Sequence, residues 1–255
     1  MRRLVLAAAA LAAASSAAAQ DADATKPDVV AAPEATPPIT ISGTAALVTD
    51  YRFRGISQTD RDAAVQASLT LAHKSGLYVS AWGSSIDDYV AFGSDQELDL
   101  IAGYRRTIGA TTLDIGVLYY VYPGGQDVID TDFFEPYASI AHVVGPVTAK
   151  ITANWAPKQS ALDYGFGPES GFYLAGDLSA SSNGFGLLAH VGRSFEANYI
   201  TGGQTYTDWS LGASYTWRAL TLGVQYVDTD ADRILSPRGR NIVGAGVVGT
   251  LTAAF

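Results

Sequence analysis

Long, regular alternation of apolar and polar residues restricts this sequence more than any other feature. In residues 39–54, Ile39, Ile41, Gly43, Ala45, Leu47, Thr49, Tyr51 and Phe53 share one face of an extended chain. Thr40, Ser42, Thr44, Ala46, Val48, Asp50, Arg52 and Arg54 share the other. A period of two is the signature of a β-strand with one apolar face. Ordinary strands average about six residues, whereas a tilted strand crossing a bilayer needs roughly nine to eleven. The pattern recurs where Val147, Ala149, Ile151, Ala153 and Trp155 oppose Thr148, Lys150, Thr152 and Asn154, and again across residues 208–217.

This reading predicts about twelve strands, over residues 39–54, 63–74, 77–86, 96–106, 111–122, 133–144, 147–156, 171–180, 184–193, 206–217, 219–228 and 241–255. The sixth is the least regular, because Pro136 and His142 blur its faces and proline is normally confined to strand edges and starts. Short connections (75–76, 107–110, 145–146, 181–183 and residue 218) alternate with long ones (55–62, 87–95, 123–132, 157–170, 194–205 and 229–240). Outer-membrane barrels have tight periplasmic turns and longer extracellular loops. The expected fold class is therefore all-β: a transmembrane antiparallel β-barrel of about twelve strands over residues 39–255.

The aromatic residues support a lipid-facing exterior. On the apolar parity, Tyr51, Phe53, Tyr119, Trp155, Phe172, Trp209 and Tyr226 fall near the long-loop ends. Tyr104, Phe185, Tyr215, Trp217 and Phe255 fall near the short-turn ends. Two such belts suit the two membrane–water interfaces. Trp82 breaks the rule by pointing inward, which requires either a bulge or a partly filled lumen. A soluble sandwich or lipocalin-like barrel would place its apolar face inside and would not sort aromatics to strand ends.

The N-terminus reads as an export signal. Arg2 and Arg3 precede an apolar run from Leu4 to Ala13, and Ala17 to Ala19 supply the small residues of a cleavage site. Residues 1–19 are thus expected to be a signal peptide. Residues 20–38, with four prolines among Ala, Asp, Glu, Lys and Thr, are expected to form a disordered periplasmic tail. Without residues 1–19 the chain carries 14 basic and 25 acidic residues, a formal charge of −11, which argues against nucleic acid as a partner. There is no cysteine for a disulfide or thiolate metal site, and no cofactor-binding motif. After residue 20 no apolar run is long enough for a transmembrane helix.

Residues 47–62 (LVTDYRFRGISQTDRD) resemble the TorF family of porin-like proteins, earlier catalogued as conserved hypothetical outer-membrane proteins of proteobacteria. The resemblance continues through Val65 to Leu69, Gly76 to Trp82, Glu97 to Tyr104, Asp114 to Tyr120 and Tyr122 to Gly124, and is weaker in the second half. It implies an outer-membrane location in a Gram-negative bacterium and a porin role, without a substrate or functional residues. The alternating last strand, ending on Phe255, resembles the signal read by the barrel-assembly machinery.

Ionisable residues on the polar parity are the candidates for lining a lumen: Asp50, Arg52, Arg54, Glu97, Asp99, Arg105, Asp114, Lys150, Asp177, His190 and Asp208. Arg52 and Arg54, on one face, could form a constriction that attracts anions. The near balance of acids and bases instead favours structural ion pairs for most of them. The long loops are acidic, with Asp87, Asp88, Asp95, Asp127, Asp130, Asp132, Glu169, Asp228, Asp230 and Asp232. No EF-hand spacing accompanies them, so a solvated rim in contact with lipopolysaccharide is the simpler reading. The three histidines, His73, His142 and His190, have no G-x-S-x-G or evident Ser and Asn partners, so an enzyme is not expected. Three functions remain open: a channel for small hydrophilic solutes or ions, a barrel plugged by Trp82, Ile101, Leu118 and Tyr120 with a structural or interaction role, and an outer-membrane hydrolase. No outward patch marks an oligomer interface.

Overall fold

The computed structural model describes residues 38–126 and 129–255. The expected signal peptide, the tail before Pro38, and Asp127 lie outside the described residues. The strands are β1 (Ile39–Val48), the short pair β2 (Arg52–Phe53) and β3 (Ile56–Ser57), β4 (Ala64–His73), β5 (Leu77–Ser85), β6 (Gln96–Ile108) and β7 (Thr111–Val121). They continue as β8 (Phe133–Val144), β9 (Val147–Gln159), β10 (Glu169–Ser182), β11 (Phe185–Ser194), β12 (Tyr206–Trp217), β13 (Leu220–Thr229) and β14 (Gly246–Ala254).

Twelve of these, all but β2 and β3, form one closed antiparallel barrel in which each strand pairs with its neighbours in sequence. The ring closes where Thr44–Val48 of β1 pair with Thr250–Ala254 of β14. Gly43 and Phe255 extend that seam by exchanging backbone hydrogen bonds of 2.8 and 3.0 Å. A Cβ on residue 43 would stand 2.6 Å from the Phe255 ring, so glycine is what lets the ring lie over the seam. At the other end of the scale of precision, Asn183 and Gly184 both have positive φ (52° and 84°), the paired requirement of a tight turn matched to strand twist.

Exposed leucines, isoleucines and valines cover the outside of the wall, among them Ile41, Val65, Leu100, Ile115, Ile151, Leu187, Leu211 and Val247. Charged and hydroxyl side chains point inward. This is the reverse of a water-soluble barrel and matches a sheet solvated by lipid. Tyr119, Trp155, Phe172, Trp209 and Tyr226 lie on the outer surface towards the long loops, where Phe134 and Phe195 join them. Tyr104, Phe185, Tyr215, Trp217 and Phe255 lie on it towards the short turns.

Tyr51 and Phe53 do not belong to that outer belt. They are only 3% and 8% exposed and sit inside the barrel. The wall strand expected to run to Arg54 stops at Val48, and left-handed backbone at Arg54, Gly55, Asp60 and Arg61 folds residues 49–63 inward. Alternation continues past the true strand end because β2 and β3 are themselves extended, so periodicity alone carried the reading too far. The apolar rings find partners inside: Tyr51 lies 5.4 Å from Trp82, and Phe53 lies 5.9 Å from Tyr120. The last strand is likewise shorter than expected. Residues 241–245 precede it, and Ile242 and Val243 are buried under the mouth.

One junction in the wall is incomplete. β7 pairs with β8 up to Phe133, but β8 pairs with β9 only from Tyr137 and Asn154 towards the short turn. Above that point, continuing the register sets Pro136 opposite Trp155 and Phe134 opposite Pro157, so two prolines remove ladder donors from facing strands. The Gln159 side chain substitutes for the lost backbone pair. Its Oε1 accepts from Phe134 N at 2.9 Å and its Nε2 donates to Phe134 O at 3.0 Å. Gln159→Ala should therefore accelerate hydrogen exchange at the Phe134 amide while leaving Ala138 protected. It should cost about 1–2 kcal/mol, at about 1 kcal/mol per hydrogen bond lost. Unchanged exchange at Phe134 would contradict this role for Gln159.

Candidate functional site

The lumen is divided along its length. Towards the long loops its inward side chains are buried, and below them Arg105, Asp177 and His190 are partly open to solvent. The packed part is built from residues 49–63 seated against the wall. Tyr51, Phe53, Ile101, Leu118, Tyr120, Phe133, Ala156 and Leu162 form one apolar cluster, with Tyr120 stacked on Phe133 at 4.3 Å. Ile56, Tyr206, Ile242 and Val243 form a second. The fill expected from Trp82, Ile101, Leu118 and Tyr120 is thus in place, supplemented by a loop.

Polar contacts hold this inserted loop. Arg52 donates from Nε to Asp50 at 2.6 Å and from Nη1 to the carbonyls of Gly55, Ile242 and Gly244 at 2.9–3.1 Å. Asp50 also accepts from Ser57 Oγ at 2.6 Å. Arg54 donates to both oxygens of Glu135 at 2.7 Å, and its guanidinium lies 4.3 Å from the centre of the Tyr173 ring. The Tyr206 hydroxyl donates to Arg54 O, and that of Tyr89 to Ser57 O. Arg52 and Arg54 therefore do not form a free constriction. Each is committed to an acid, because a buried charge without a partner costs several kcal/mol.

Above the loop, outside the membrane-spanning strands, a second set of charges joins it to the long segment before β14. Arg238 donates to Asp62 at 2.8 Å and reaches Asp87 at 3.1 Å. Arg240 donates to Asp62 at 2.8 Å and to Asp60 O at 2.6 Å. The hydrogen bond from Arg240 is the main reason that the Asp62 carboxyl is held below its usual range. Asp87 is shifted the opposite way, by burial and then by its contact with Asp88.

Below the loop, acids and bases line one wall of the lumen. Arg105 binds Asp114 through Nε and Nη2 at 2.9 and 2.6 Å. Tyr78 donates to Asp114 and also hydrogen-bonds Tyr137. Lys150 stands opposite Asp177 in the β9–β10 register. His190 bridges Asp177 at 2.7 Å and Asp208 at 3.1 Å, and the Tyr173 hydroxyl donates to Asp208 at 3.0 Å. Side-chain exposure falls from 28% at Arg105 and 27% at Asp177 to 17% at His190 and 4% at Asp208. Arg105, Asp177 and His190 are thus partly open to solvent, whereas Asp114, Tyr78 and Asp208 beside them are buried. The Tyr173 hydroxyl also lies 3.0 Å from His190 Nε2, so both ring nitrogens are engaged within this cluster.

All eleven charged candidates face the interior. The sequence reading missed Glu135, which is fully buried on β8 and also accepts from Asn154 at 2.7 Å. Pro136 concealed it by blurring that strand, although its parity with Phe133 and Tyr137 identifies the inward face. It also missed the pairing of Arg238 and Arg240 with the first loop, for which no local spacing gives a signal.

No curated protein matches this chain in sequence. In structure it is similar to the COG4313 outer-membrane channel from Pseudomonas putida F1, at 15% identity and a TM-score of 0.53, over 87% of this chain and 96% of that one. It is also similar to the monoaromatic hydrocarbon channel TodX in its deltaS2 mutant form, at 11% identity and a TM-score of 0.50, over 85% and 87% of the two chains. TodX is a Pseudomonas putida protein. At these identities the likeness concerns the fold, that of outer-membrane β-barrels. Residues 32–255 match the family model Gcw_chp, described as a bacterial protein of unknown function, and the chain belongs to that family.

Proposed function

We propose that this barrel is an outer-membrane channel for small hydrophilic solutes or ions, with residues 49–63 as a plug that closes its outer mouth. The supporting observation is the division of the lumen. A charged vestibule, with Arg105, Asp177 and His190 partly open to solvent, lies beneath a closure made mainly by a separate loop. Eight-stranded barrels are filled by wall side chains and those of sixteen or more hold water channels. Twelve strands leave room that a loop can fill and vacate. The TorF resemblance around residues 47–62 falls on this same loop and agrees with a porin role. Export through the N-terminal signal, residence in the outer membrane and contact of the acidic loops with lipopolysaccharide belong to the same proposal.

A second reading is a permanently plugged barrel with a structural or interaction role. The apolar packing of Tyr51 and Phe53 onto Trp82 and Tyr120 favours it. Single-channel recording in planar bilayers separates the two. Replacing residues 50–62 by a short Gly-Ser linker should raise conductance severalfold over the full-length barrel. Absence of conductance in both folded proteins would remove the channel reading.

Two further outcomes follow from how the plug is held. Arg54→Gln should leave Glu135 buried without its cation, lower barrel stability by about 3–5 kcal/mol and raise the open fraction. An altered ion selectivity with unchanged stability would show that Arg54 acts as a pore charge instead. Asp62 is depressed in the folded protein, so its contribution is complete above the ordinary carboxylate range and is lost as pH falls through the depressed value. Acidification below about pH 4 should therefore raise the open fraction in the native channel. Asp62→Asn should open more at neutral pH and respond less to acid; an identical acid response in that variant would exclude Asp62 as the group responsible.

A further inference from the structure

Two acids of the lumen lack a cation. Glu97 and Asp99 lie two residues apart on β6, both turned inward, and are 4% and 3% exposed. Positions two apart on a strand are separated by about 6.6 Å. The other buried inward acids are matched: Asp50 with Arg52, Glu135 with Arg54, Asp114 with Arg105, and Asp208 with His190. Among the described residues no Lys, Arg or His forms an ion pair with Glu97 or Asp99. Two carboxylates withdrawn from water side by side need neutralisation, by a proton or by a bound cation.

Their surroundings indicate which cation. The β5 and β7 registers place Trp82 and Tyr120 on either side of Asp99. The Tyr51 ring lies 5.4 Å from Trp82, and Tyr122, next after β7, shares the parity of Tyr120. The Tyr51 hydroxyl and Asp99 Oδ1 are both buried and complete no hydrogen bond of ordinary geometry. The site therefore combines two acids, unused oxygen atoms and four aromatic rings. An oxygen-liganded metal is a poor fit, since calcium takes six to eight ligands and the described residues hold no group of three or more candidate metal-binding side chains. Aromatic faces attract ammonium groups, and unused acceptors call for N–H donors.

We infer that Glu97 and Asp99, beneath Tyr51 and beside Trp82 and Tyr120, form a binding station for a small primary organic ammonium, best matched by a diamine that reaches both carboxylates. Tyr51 belongs to the plug, so the ligand reaches the two acids as the plug lifts. For passage of such cations the inference rests on the channel reading; for binding it does not.

The test is titration of the folded full-length barrel in detergent with 1,4-diaminobutane, followed by calorimetry and by tryptophan fluorescence. Uncharged 1,4-butanediol and sodium chloride at matched ionic strength are the comparisons. Saturable binding of the diamine alone is expected, with tetramethylammonium, which has no N–H donor, at least tenfold weaker. The double variant Glu97→Gln and Asp99→Asn should lose at least tenfold in affinity. Absence of saturable diamine binding, equal binding of the diol, equal competition by sodium, or undiminished binding by the double variant would overturn the inference. Should that variant fail to fold, the comparison of diamine with diol on the native barrel decides alone. Conductance is read separately, so binding without conductance removes the channel reading and keeps the site, and conductance without binding does the reverse.

Discussion

A sheet that faces lipid on its outer surface must satisfy every backbone N–H and C=O within itself, and a closed ring is the arrangement that leaves no edge. The rest of the molecule depends on that closure. It obliges the apolar parity outward and the charged parity inward along each strand, and it places Gly43 opposite Phe255 at the seam. Where the ring is imperfect the cost is met locally. Pro136 and Pro157 interrupt the β8–β9 ladder, and the Gln159 amide presents one donor and one acceptor to Phe134 in place of the missing backbone pair.

Inside the ring the governing constraint is charge. Removed from water, an arginine or a carboxylate must find an opposite charge or several dipoles. Arg54 and Glu135 do so across the boundary between loop and wall, and Asp50 and Arg52 within the loop, which turns a connecting segment into part of the interior. The same constraint makes Glu97 and Asp99 conspicuous, because among the described residues they are the buried inward acids with rings for neighbours instead of a base.

Much of the fold was legible in the residues. Period-two alternation located the wall strands to within a few positions, and the alternation of short and long connections fixed their order and the side of each turn. What escaped was the path of residues 49–63. Tyr51 and Phe53 carry the apolar parity of β1, and nothing local distinguishes a ring turned to lipid from one turned to Trp82 or Tyr120. Glu135 was hidden beside Pro136 for a related reason: strand faces are read from neighbours, and proline is a poor neighbour to read from. Long-range pairs such as Arg52 with the carbonyl of Ile242 depend on the assembled ring and have no signature in either segment alone.

Those last contacts have a consequence for the order of folding. Arg52 Nη1 donates to Ile242 O and Gly244 O, 190 and 192 residues further along the chain. Ser57 N donates to the same Ile242 carbonyl. Contacts of such separation carry the largest loop-closure cost and form late. The segment nearest the start of the barrel thus completes its contacts only once the segment leading into the last strand is in place. The last contacts of the plug are tied to the closing of the ring.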